Sequence, residues 1–417
     1  MTPVHSHSVV LGKGANMERI ALESAVELLK DQWSGVLESE TVSLLEGLGR
    51  VLSEDVVAKH HQPPFDRSPL DGYAVRGEDT LGATKEAPVK LTVVDEVCAG
   101  HVSEEALKPG MCIRIMTGGP MPEGSNGVIK QEDTDEGMDV VAIYKGIKPN
   151  QNYCCAGEDY KAGEVLLKSG ELLTAYHIGI LASNGITAIT VKRKLKVGLM
   201  STGDELMEPG ETLKSGKIYN SNLYTLTGRL MELGCEPVVI GTIHDDVDKG
   251  MSLIESYVDK VDVIVTTGGV SVGKMDIMHP IFDGLSANRL FWRLELKPGT
   301  PALAGTYKDK ILLCLSGNPS AAAITFELLF RPLLSRIMGC EEMALKRVTV
   351  KMKEAFLKKS PTRRFIKANA LGGEVSMTLG NQSSGALKSM IGCNCFIDVP
   401  AGGDVLQIGD PVEIVLI

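Results

Sequence analysis

Residues 195–205 read LKVGLMSTGDE, an apolar run that ends in a loop of glycine and acidic side chains. Further apolar runs follow at 237–243, 261–266 and 311–315, and helical patterns at 223–233 and 320–338 separate them. Short apolar runs that alternate with helices predict βαβ units and a doubly wound, mostly parallel sheet of the α/β class. Because such sheets bind ligands outside the carboxyl ends of their strands, we expect function in the loops that follow these runs.

The regions on either side have other patterns, so the chain of 417 residues is predicted to form several domains. Short strand-like runs between Gly and Pro turns predict a β-rich second domain and a C-terminal small β-barrel or sandwich. Mostly helical patterns before and after the β-rich region predict one helical, mixed linking domain. The predicted domains are the linking domain at 17–50 and 155–193, the β-rich domain at 51–154, the α/β domain at 194–340 and the C-terminal β domain at 341–417.

Composition restricts the class of partner. The net charge of −10, from 43 basic and 53 acidic side chains, argues against duplex nucleic acid, which needs a broad basic face. No apolar run approaches the ~20 residues of a membrane-spanning helix, and the first residues lack a signal-peptide pattern. The nine cysteines have no Cys-x-x-Cys spacing and are interpreted as reduced thiols. We expect a cytoplasmic protein without a membrane or nucleic-acid partner, with residues 1–16 as a flexible leader.

The loop at 268–276 reads GGVSVGKMD and nearly matches a P-loop. Met275 stands where Ser or Thr would contact magnesium, which excludes a standard NTPase. Backbone N–H groups of a Gly-rich turn between strand and helix can still bind an anion, and glycine permits the close approach. The alternative is a tight turn of the kind that any α/β fold contains.

Two further features are consistent with an anionic ligand. Asn318 and Pro319, after Gly317, suit the N-cap and first position of the next helix, whose N-terminus could hold an oxyanion. Helix capping alone would also explain them. Arg293 and Lys297 are four residues apart near a strand end, so they would point to the same side of a strand, either towards an anion or towards solvent.

Carboxylates follow the ends of several predicted strands, at Glu205, Asp245, Asp246 and Asp276. Converging carboxylates repel unless they are protonated or bridged by a hard cation, and magnesium would relieve the repulsion. Taken singly, each aspartate is more often a turn residue or a helix cap.

At this point the motifs resemble a known family, the molybdopterin molybdenumtransferases (MoeA family), which is related to the C-terminal E domain of gephyrin. The sequence FDRSPLDGYAVR at 65–76 is similar to the family's FDxSxMDGYAVR, and RIMTG stands at 114–118. The GED motif at 157–159, the loop at 268–276 and KPG at 297–299 match as well. The resemblance runs from about Met17 to the C-terminus.

The resemblance implies four domains, an elongated homodimer, and an active site where the α/β domain of one subunit faces the β-rich domain of its partner. It implies catalytic roles for Asp71, Thr117, Glu205, Asp246 and Asp276, of which Glu205, Asp246 and Asp276 would hold Mg²⁺. It implies substrate-binding roles for Gly268, Gly269, Ser271, Arg293, Lys297, Gly317, Asn318, Pro319, Ser384 and Asp159.

The reaction implied is insertion of molybdate into adenylylated molybdopterin with release of AMP, magnesium neutralising the phosphoanhydride. A transient contact with the molybdopterin adenylyltransferase is also implied. The chain departs from the family at 154–156, where Cys-Cys-Ala replaces the usual Arg, so that an anion contact there is either lost or supplied by Lys161. Ser316 stands where many relatives have proline.

Two other functions are considered. The molybdopterin adenylyltransferase shares the α/β domain and its GGxS loop, but it needs no DGYAVR domain or C-terminal β domain. A gephyrin-like scaffold would bind receptor peptides, for which no receptor-binding or linker segment is visible. Molybdate and tungstate both remain open as substrates, because they are tetrahedral dianions of nearly equal size.

Overall fold

The structure is a computed structural model that describes residues 19–270 and 276–417. Its helices are α1 (Leu22–Asp31), α2 (Ala175–Ser183), α3 (Ser221–Glu232), α4 (Val247–Tyr257), α5 (Met278–Gly284) and α6 (Pro319–Met338). Short 3-10 helices occupy Leu45–Gly47, Gly77–Thr80, Gln131–Asp133, Val258–Lys260, Glu341–Met343 and Leu387–Met390. The predicted leader at 1–16 lies outside the described residues.

The strands, in chain order, are β1 (Ser39–Ser43), β2 (Val56–Val57), β3 (Gly72–Val75), β4 (Val89–Val97), β5 (Met111–Ile115), β6 (Gly127–Lys130), β7 (Val140–Ile143), β8 (Val165–Leu167), β9 (Ala188–Lys192), β10 (Lys196–Thr202), β11 (Leu206–Met207), β12 (Ile218–Tyr219), β13 (Glu236–Ile243), β14 (Val263–Thr267), β15 (Asn288–Trp292), β16 (Leu296–Lys297), β17 (Ala302–Tyr307), β18 (Lys310–Leu315), β19 (Lys346–Met352), β20 (Arg363–Leu371), β21 (Glu374–Met377), β22 (Cys395–Val399) and β23 (Pro411–Leu416).

The α/β region is built on a six-stranded sheet in the order β13-β10-β14-β18-β17-β15. The first four strands are parallel; at one edge β17 pairs antiparallel with β18, and β15 pairs antiparallel with β17 and so runs in the direction of the parallel strands. The prediction of a mostly parallel, doubly wound sheet is therefore confirmed. The four parallel strands are the apolar runs of the sequence, whereas β15, β17 and helices α4 and α5 were not identified from it.

Helices cover both faces of this sheet because alternate residues of the buried strands point to opposite sides. Val263 and Val265 of β14 contribute to a core that includes α1, α3 and α6, and Ile264 contributes to a second core with α4 and α5. Helix α1, which the sequence pattern places in the linking domain, thus packs in the core of the α/β region. The domain boundaries stay a prediction.

The β-rich region contains a five-stranded sheet in the order β6-β3-β5-β4-β7. Tyr73 and Val75 of β3 face one core and Ala74 faces another, so this sheet is also buried on both sides. The ribbons β1–β9 and β2–β8 join segments that are far apart in sequence.

The C-terminal region closes on itself. Strands follow the order β20-β21-β19-β23-β22, and pairing of β20 with β22 completes a five-stranded barrel around Ile366, Val375, Ile397 and Ile414. The barrel prediction is confirmed. Strand β16 pairs with β20 in parallel, which connects the barrel to the α/β region just after Arg293.

A buried ion pair joins Asp262, directly before β14, to Arg193, which directly follows β9 of the β1–β9 ribbon. Asp262 is 6% exposed, and Arg193 donates two hydrogen bonds to its carboxylate, at 2.7 and 2.8 Å. The Lys196 amide donates a third, at 2.8 Å. Burial alone would raise the pKa of Asp262, but the hydrogen bonds from Arg193 and Lys196 hold it below its ordinary value.

Asp262→Asn should lower the free energy of unfolding by about 2–4 kcal/mol at pH 7, because it removes the buried carboxylate of the pair and leaves Arg193 only the exposed Glu38 as a charge partner. A depressed folded-state pKa stabilises the fold above the unfolded-state pKa of about 3.9, and this stabilisation disappears as the pH falls through the folded-state value. Urea unfolding should therefore show a difference between wild type and variant that shrinks below about pH 4.

The exposed neighbour provides a control, since Asp259→Asn should change the free energy of unfolding by less than about 0.5 kcal/mol. A difference for Asp262→Asn that is independent of pH would contradict the assigned charge interaction.

Candidate functional site

Three parallel strands bring their following loops into direct contact. A Cβ atom on Gly268, whose φ is +92°, would lie 2.3 Å from the carbonyl oxygen of Thr202, so only glycine fits after β14. Gly269 has a φ of +64° and would place a Cβ 2.8 Å from the Thr202 hydroxyl. A Cβ on Gly317 would lie 3.4 Å from the Gly268 Cα. The loops after β10, β14 and β18 are therefore one surface, as predicted. Ser271 lies outside the described residues.

The N-terminus of α6 differs from the prediction. Asn318 occupies the N-cap position and Pro319 the first turn, but the Asn318 side chain makes no capping hydrogen bond. Instead, the carbonyl of Ser384, in the barrel loop at 381–386, accepts a 3.1 Å hydrogen bond from the Ala321 amide. A tertiary contact thus caps one amide, and the helix end is only partly open to an anion.

Ser316 contributes to the same turn. Its hydroxyl accepts a 3.3 Å hydrogen bond from the Asn318 amide, an interaction that proline at this position could not make. Asn222 of α3 donates to the Gly317 carbonyl at 2.8 Å. The turn is therefore held by side-chain hydrogen bonds.

Lys367 fixes the barrel loop against the helix. Its ammonium group is buried, 1% exposed as a residue, and donates to the Ser320 hydroxyl at 2.9 Å. It also donates to the carbonyls of Asn381, Ser383 and Ala386 at 3.2–3.4 Å. Burial lowers the pKa of this lysine. The role of Lys367 could not be predicted from the sequence, because no local sequence pattern indicates that its side chain is buried.

The two predicted cations do not lie on one strand. Strand β15 ends at Trp292, and Arg293 has a left-handed φ of +71°. Lys297 belongs to β16, which pairs with the barrel. The expected common strand face is therefore wrong, because the left-handed residue turns the chain between the two. The KPG turn is pressed against α6, where a Cβ on Gly299 would lie 2.1 Å from Thr325 Cγ2.

The carboxylates that come together are those of Asp204, Glu205 and Asp245, whereas the prediction also included Asp246 and Asp276 and lacked Asp204. The Asp245 amide donates to the Asp204 carboxylate at 3.1 Å, and His244 Nδ1 lies 3.4 Å from it. Burial, and then the nearby charges of Asp204 and Glu205, raise the pKa of Asp245. Asp246 instead caps α4 and accepts from the Lys249 amide at 3.0 Å.

Asp276 stands apart from this acidic group. Its side chain is 10% exposed, and burial raises its pKa to about 6. It accepts a 3.2 Å hydrogen bond from the Met278 amide and lies 3.8 Å from His279 Nε2. Across residues 19–270 and 276–417, no three His, Cys, Asp or Glu side chains are arranged as a metal site.

The β-rich region holds a second group. Asp71 Oδ1 accepts hydrogen bonds from the Thr117 amide at 2.7 Å and the Thr117 hydroxyl at 2.8 Å. The amide first, and then the hydroxyl, hold the pKa of the exposed Asp71 carboxyl below its ordinary value. A Cβ on Gly72 would lie 1.9 Å from the Ile129 carbonyl oxygen, so glycine is required at this position for the close approach of β6. Asp71 and Thr117, both expected as site residues, are thus adjacent.

The GED turn at 157–159 pairs with the residues that directly precede the FDRSPLDGYAVR motif. The Asp159 amide donates to the Gln62 carbonyl at 2.9 Å, and Asp159 itself is exposed. Arg67 exchanges backbone hydrogen bonds with Cys154 at 2.9 and 3.1 Å, and its side chain lies beside the Cys154 thiol. A cation, Arg67, therefore lies next to Cys154. In the described part of the chain, no hydrogen bond or ion pair joins this group to the α/β loops.

These features define a class: a multidomain α/β protein with glycine-rich, acidic and basic loops at one edge of a parallel sheet. Residues 20–185 match the family model of the MoeA N-terminal region (domain I and II), and 349–417 that of the MoeA C-terminal region (domain IV). Residues 198–336 match the model described as a probable molybdopterin binding domain. The chain belongs to the MoeA family.

Similar proteins cover nearly the whole chain. It is 36% identical over 387 residues to a Bacillus subtilis (strain 168) protein named molybdopterin molybdenumtransferase, covering 91% of this chain and 90% of the relative. A Staphylococcus aureus (strain COL) protein of the same name is 34% identical over 400 residues, 95% of each chain. The crystal structure of a molybdopterin biosynthesis MoeA protein from Pyrococcus horikoshii OT3 has a TM-score of 0.84 at 32% identity, covering 96% of this chain and 100% of that one. No helix in the described residues is long and apolar enough to cross a membrane.

Asp276→Asn should raise the free energy of unfolding by about 1–3 kcal/mol at pH 7–8, because the folded state disfavours the ionised carboxylate. Since its folded-state pKa is raised to about 6, the penalty is absent below the unfolded-state pKa of about 3.9 and grows as the pH rises through both values. Urea unfolding between pH 4 and 8 measures the effect. Stability of Asp276→Asn below that of wild type at pH 8 would contradict it.

Proposed function

We propose that this protein is a molybdopterin molybdenumtransferase that inserts molybdate into adenylylated molybdopterin and releases AMP. The observation that carries the proposal is the convergence of the family's motif loops at one sheet edge, in a chain that matches family models in all three regions. The matches at 20–185 and 349–417 favour this reaction over adenylylation, for which those regions are not needed.

The roles we assign follow the contacts of each group. We assign backbone amide contacts with a phosphate or oxyanion to Gly269 and Gly317. The Gly268 amide donates to the Leu315 carbonyl at 3.0 Å, so Gly268 contributes to the substrate site by allowing the loops to pack closely. Arg293 and Lys297 supply positive charge near them. We assign substrate contacts also to Ser271, Asn318, Pro319, Ser384 and Asp159.

The catalytic assignments concern two separate groups of side chains. Asp71, ionised through its hydrogen bonds from Thr117, accepts a proton or a hydrogen bond from the substrate. Glu205, Asp246 and Asp276 act at the edge of the sheet. Burial raises the pKa of the Asp276 carboxyl to about 6, and a cation bound to it would favour the ionised form.

We further propose that the reaction depends on magnesium. Mg²⁺ usually takes one or two protein carboxylates and completes its shell with substrate phosphates and water, so it needs no preformed protein cage. Burial first, and then the negative charges of Asp204 and Glu205, raise the pKa of Asp245, so a cation would be favoured at this edge. Glu205, Asp246 and Asp276 are the carboxylates from which we expect its protein ligands. Bound there, the ion would neutralise the charge of the phosphoanhydride.

Incubation with adenylylated molybdopterin, magnesium and molybdate should release AMP, and omission of magnesium should abolish the release. Asp276→Ala should lower the rate by about 100-fold or more, the scale of one lost catalytic contact. Asp259→Ala removes an exposed carboxylate just before the amino end of the same strand, β14, and should retain wild-type activity. No release with either molybdate or tungstate would contradict the proposed function.

We also propose a homodimer whose two active sites each combine the β-rich domain of one subunit with the α/β domain of the other. Within one chain, the contacts of the Asp71 group and of the sheet-edge loops remain separate in the described residues, which is compatible with completion by a partner. A transient contact with the molybdopterin adenylyltransferase, which would supply the substrate, and a cytoplasmic location complete the proposal.

Subunit mixing tests the shared site. Asp71→Ala and Asp276→Ala homodimers should each be inactive, because each destroys both sites. A heterodimer of the two, isolated with two different affinity tags, should have one site with both lesions and one intact site. We expect up to half of the wild-type AMP release per heterodimer. An inactive heterodimer would refute the shared site, since sites built within one subunit would each keep a lesion.

A further inference from the structure

The end of strand β15 carries an aromatic residue with a cation on its face. The Arg293 guanidinium carbon lies 4.5 Å from the centroid of the Trp292 ring system. The His279 ring packs edge-on against the same indole, with centroids 4.6 Å apart and planes at 86°. Two side chains from different elements thus enclose Trp292.

The backbone explains how adjacent residues come to stack. In a regular strand, neighbouring side chains point to opposite faces, but the left-handed φ of +71° at Arg293 ends that alternation. The Arg293 amide donates to the Ala302 carbonyl at 2.9 Å, and its own carbonyl accepts from the Ile20 amide at 3.0 Å. Both bonds are fixed by other elements, so Arg293 is held in this conformation.

The indole itself is anchored. Trp292 pairs with Leu303 in the sheet and packs against the core beneath α4 and α5. His279 lies on α5, whose first turn follows Asp276. The three residues Asp276, His279 and Trp292 therefore form a continuous line of contacts that ends at Arg293.

An indole and a carboxylate contact different parts of a guanidinium group. A carboxylate would occupy the N–H edge and neutralise the charge, whereas the indole contacts only the flat face. The N–H groups, which lie in the plane of the guanidinium, stay able to donate a bidentate pair to an oxyanion or phosphate. In the residues that the structure describes, no carboxylate lies within 4.0 Å of Arg293, although many other arginines have such a partner.

We infer that Trp292 is a positioning residue that holds the Arg293 guanidinium with its N–H edge presented to the anionic part of the substrate. This rests on the proposed function, in which Arg293 binds that anion. The anion is either molybdate or the phosphate of adenylylated molybdopterin. Trp292 does not touch the reacting atoms and acts through Arg293.

Steady-state AMP release tests the inference when molybdate and adenylylated molybdopterin are varied separately. Trp292→Leu should raise one of the two KM values about tenfold, with kcat changed less than about twofold, because the lost contact serves binding. The KM that rises identifies the anion. Trp292→Phe keeps an aromatic face and should restore most of the affinity. In an Arg293→Ala background, Trp292→Leu should add less than about a twofold effect.

Tyr307→Leu is the matched control, because Lys308 stacks on Tyr307 near the far end of the same sheet. It should leave both KM values unchanged. Trp292 is also one of two tryptophans, so Trp33→Phe leaves it as the sole indole fluorophore. The emission of Trp292 should change on titration with sodium molybdate if the bound anion is molybdate, or with AMP if it is the phosphate. Arg293→Ala should abolish the change.

The outcomes separate the two levels of the proposal. If Arg293→Ala raises a KM but Trp292→Leu and Trp292→Phe both behave as wild type, the positioning role is overturned and the proposed function stands. If Trp292→Leu weakens binding equally in the presence and absence of Arg293, the effect is not transmitted through Arg293, and the inference also fails.

Wild-type AMP release by Arg293→Ala would remove the role of Arg293 in the proposed function. No release by the unaltered protein would contradict that function itself. If Trp292→Leu does not fold, the fluorescence titration decides, and an indole emission that changes with neither anion would overturn the positioning role.

Discussion

The close approach of three backbone segments at one edge of the parallel sheet is the constraint on which the rest of the structure depends. Gly268 has no room for a Cβ beside the Thr202 carbonyl, and Gly317 packs directly on Gly268. Because these segments follow three neighbouring strands, any shift in strand register would separate them. The burial of β14 and β18 on both faces fixes that register. The core of the sheet is thus the scaffold that gives the loops their positions.

Much of this arrangement could be predicted from the sequence, because it follows from chain-local patterns. Apolar runs that end in Gly-rich or acidic loops predicted the parallel strands and their shared edge. The pairing of Asp71 with Thr117 agrees with the two motifs that resemble the family. In these cases the residue types themselves, glycine at positive φ or an aspartate beside a glycine, determine the local geometry.

Other features depend on contacts between distant segments and leave no local signal. Asn318 has the sequence of a helix cap, yet a carbonyl from a loop more than sixty residues later caps the helix instead. Hydrogen bonds to Ala302 and Ile20 hold Arg293 in a left-handed conformation. The four-residue spacing of Arg293 and Lys297 therefore does not place them on the same side of one strand. Asp246 and Asp245 are neighbours in the chain, but one caps α4 and the other lies near Asp204. Tertiary structure decides between such roles.

The barrel loop that Lys367 holds over α6 also bears on how the chain can be divided. Phe365, Phe396 and Val415 of the barrel belong to the same hydrophobic core as α6 and the parallel strands. A boundary near residue 340, natural in the sequence pattern, therefore cuts through a continuous apolar interior. Truncation there would expose that interior and remove the carbonyl that caps α6. In this chain the α/β region and the barrel therefore share one apolar core, and we expect the two to unfold together.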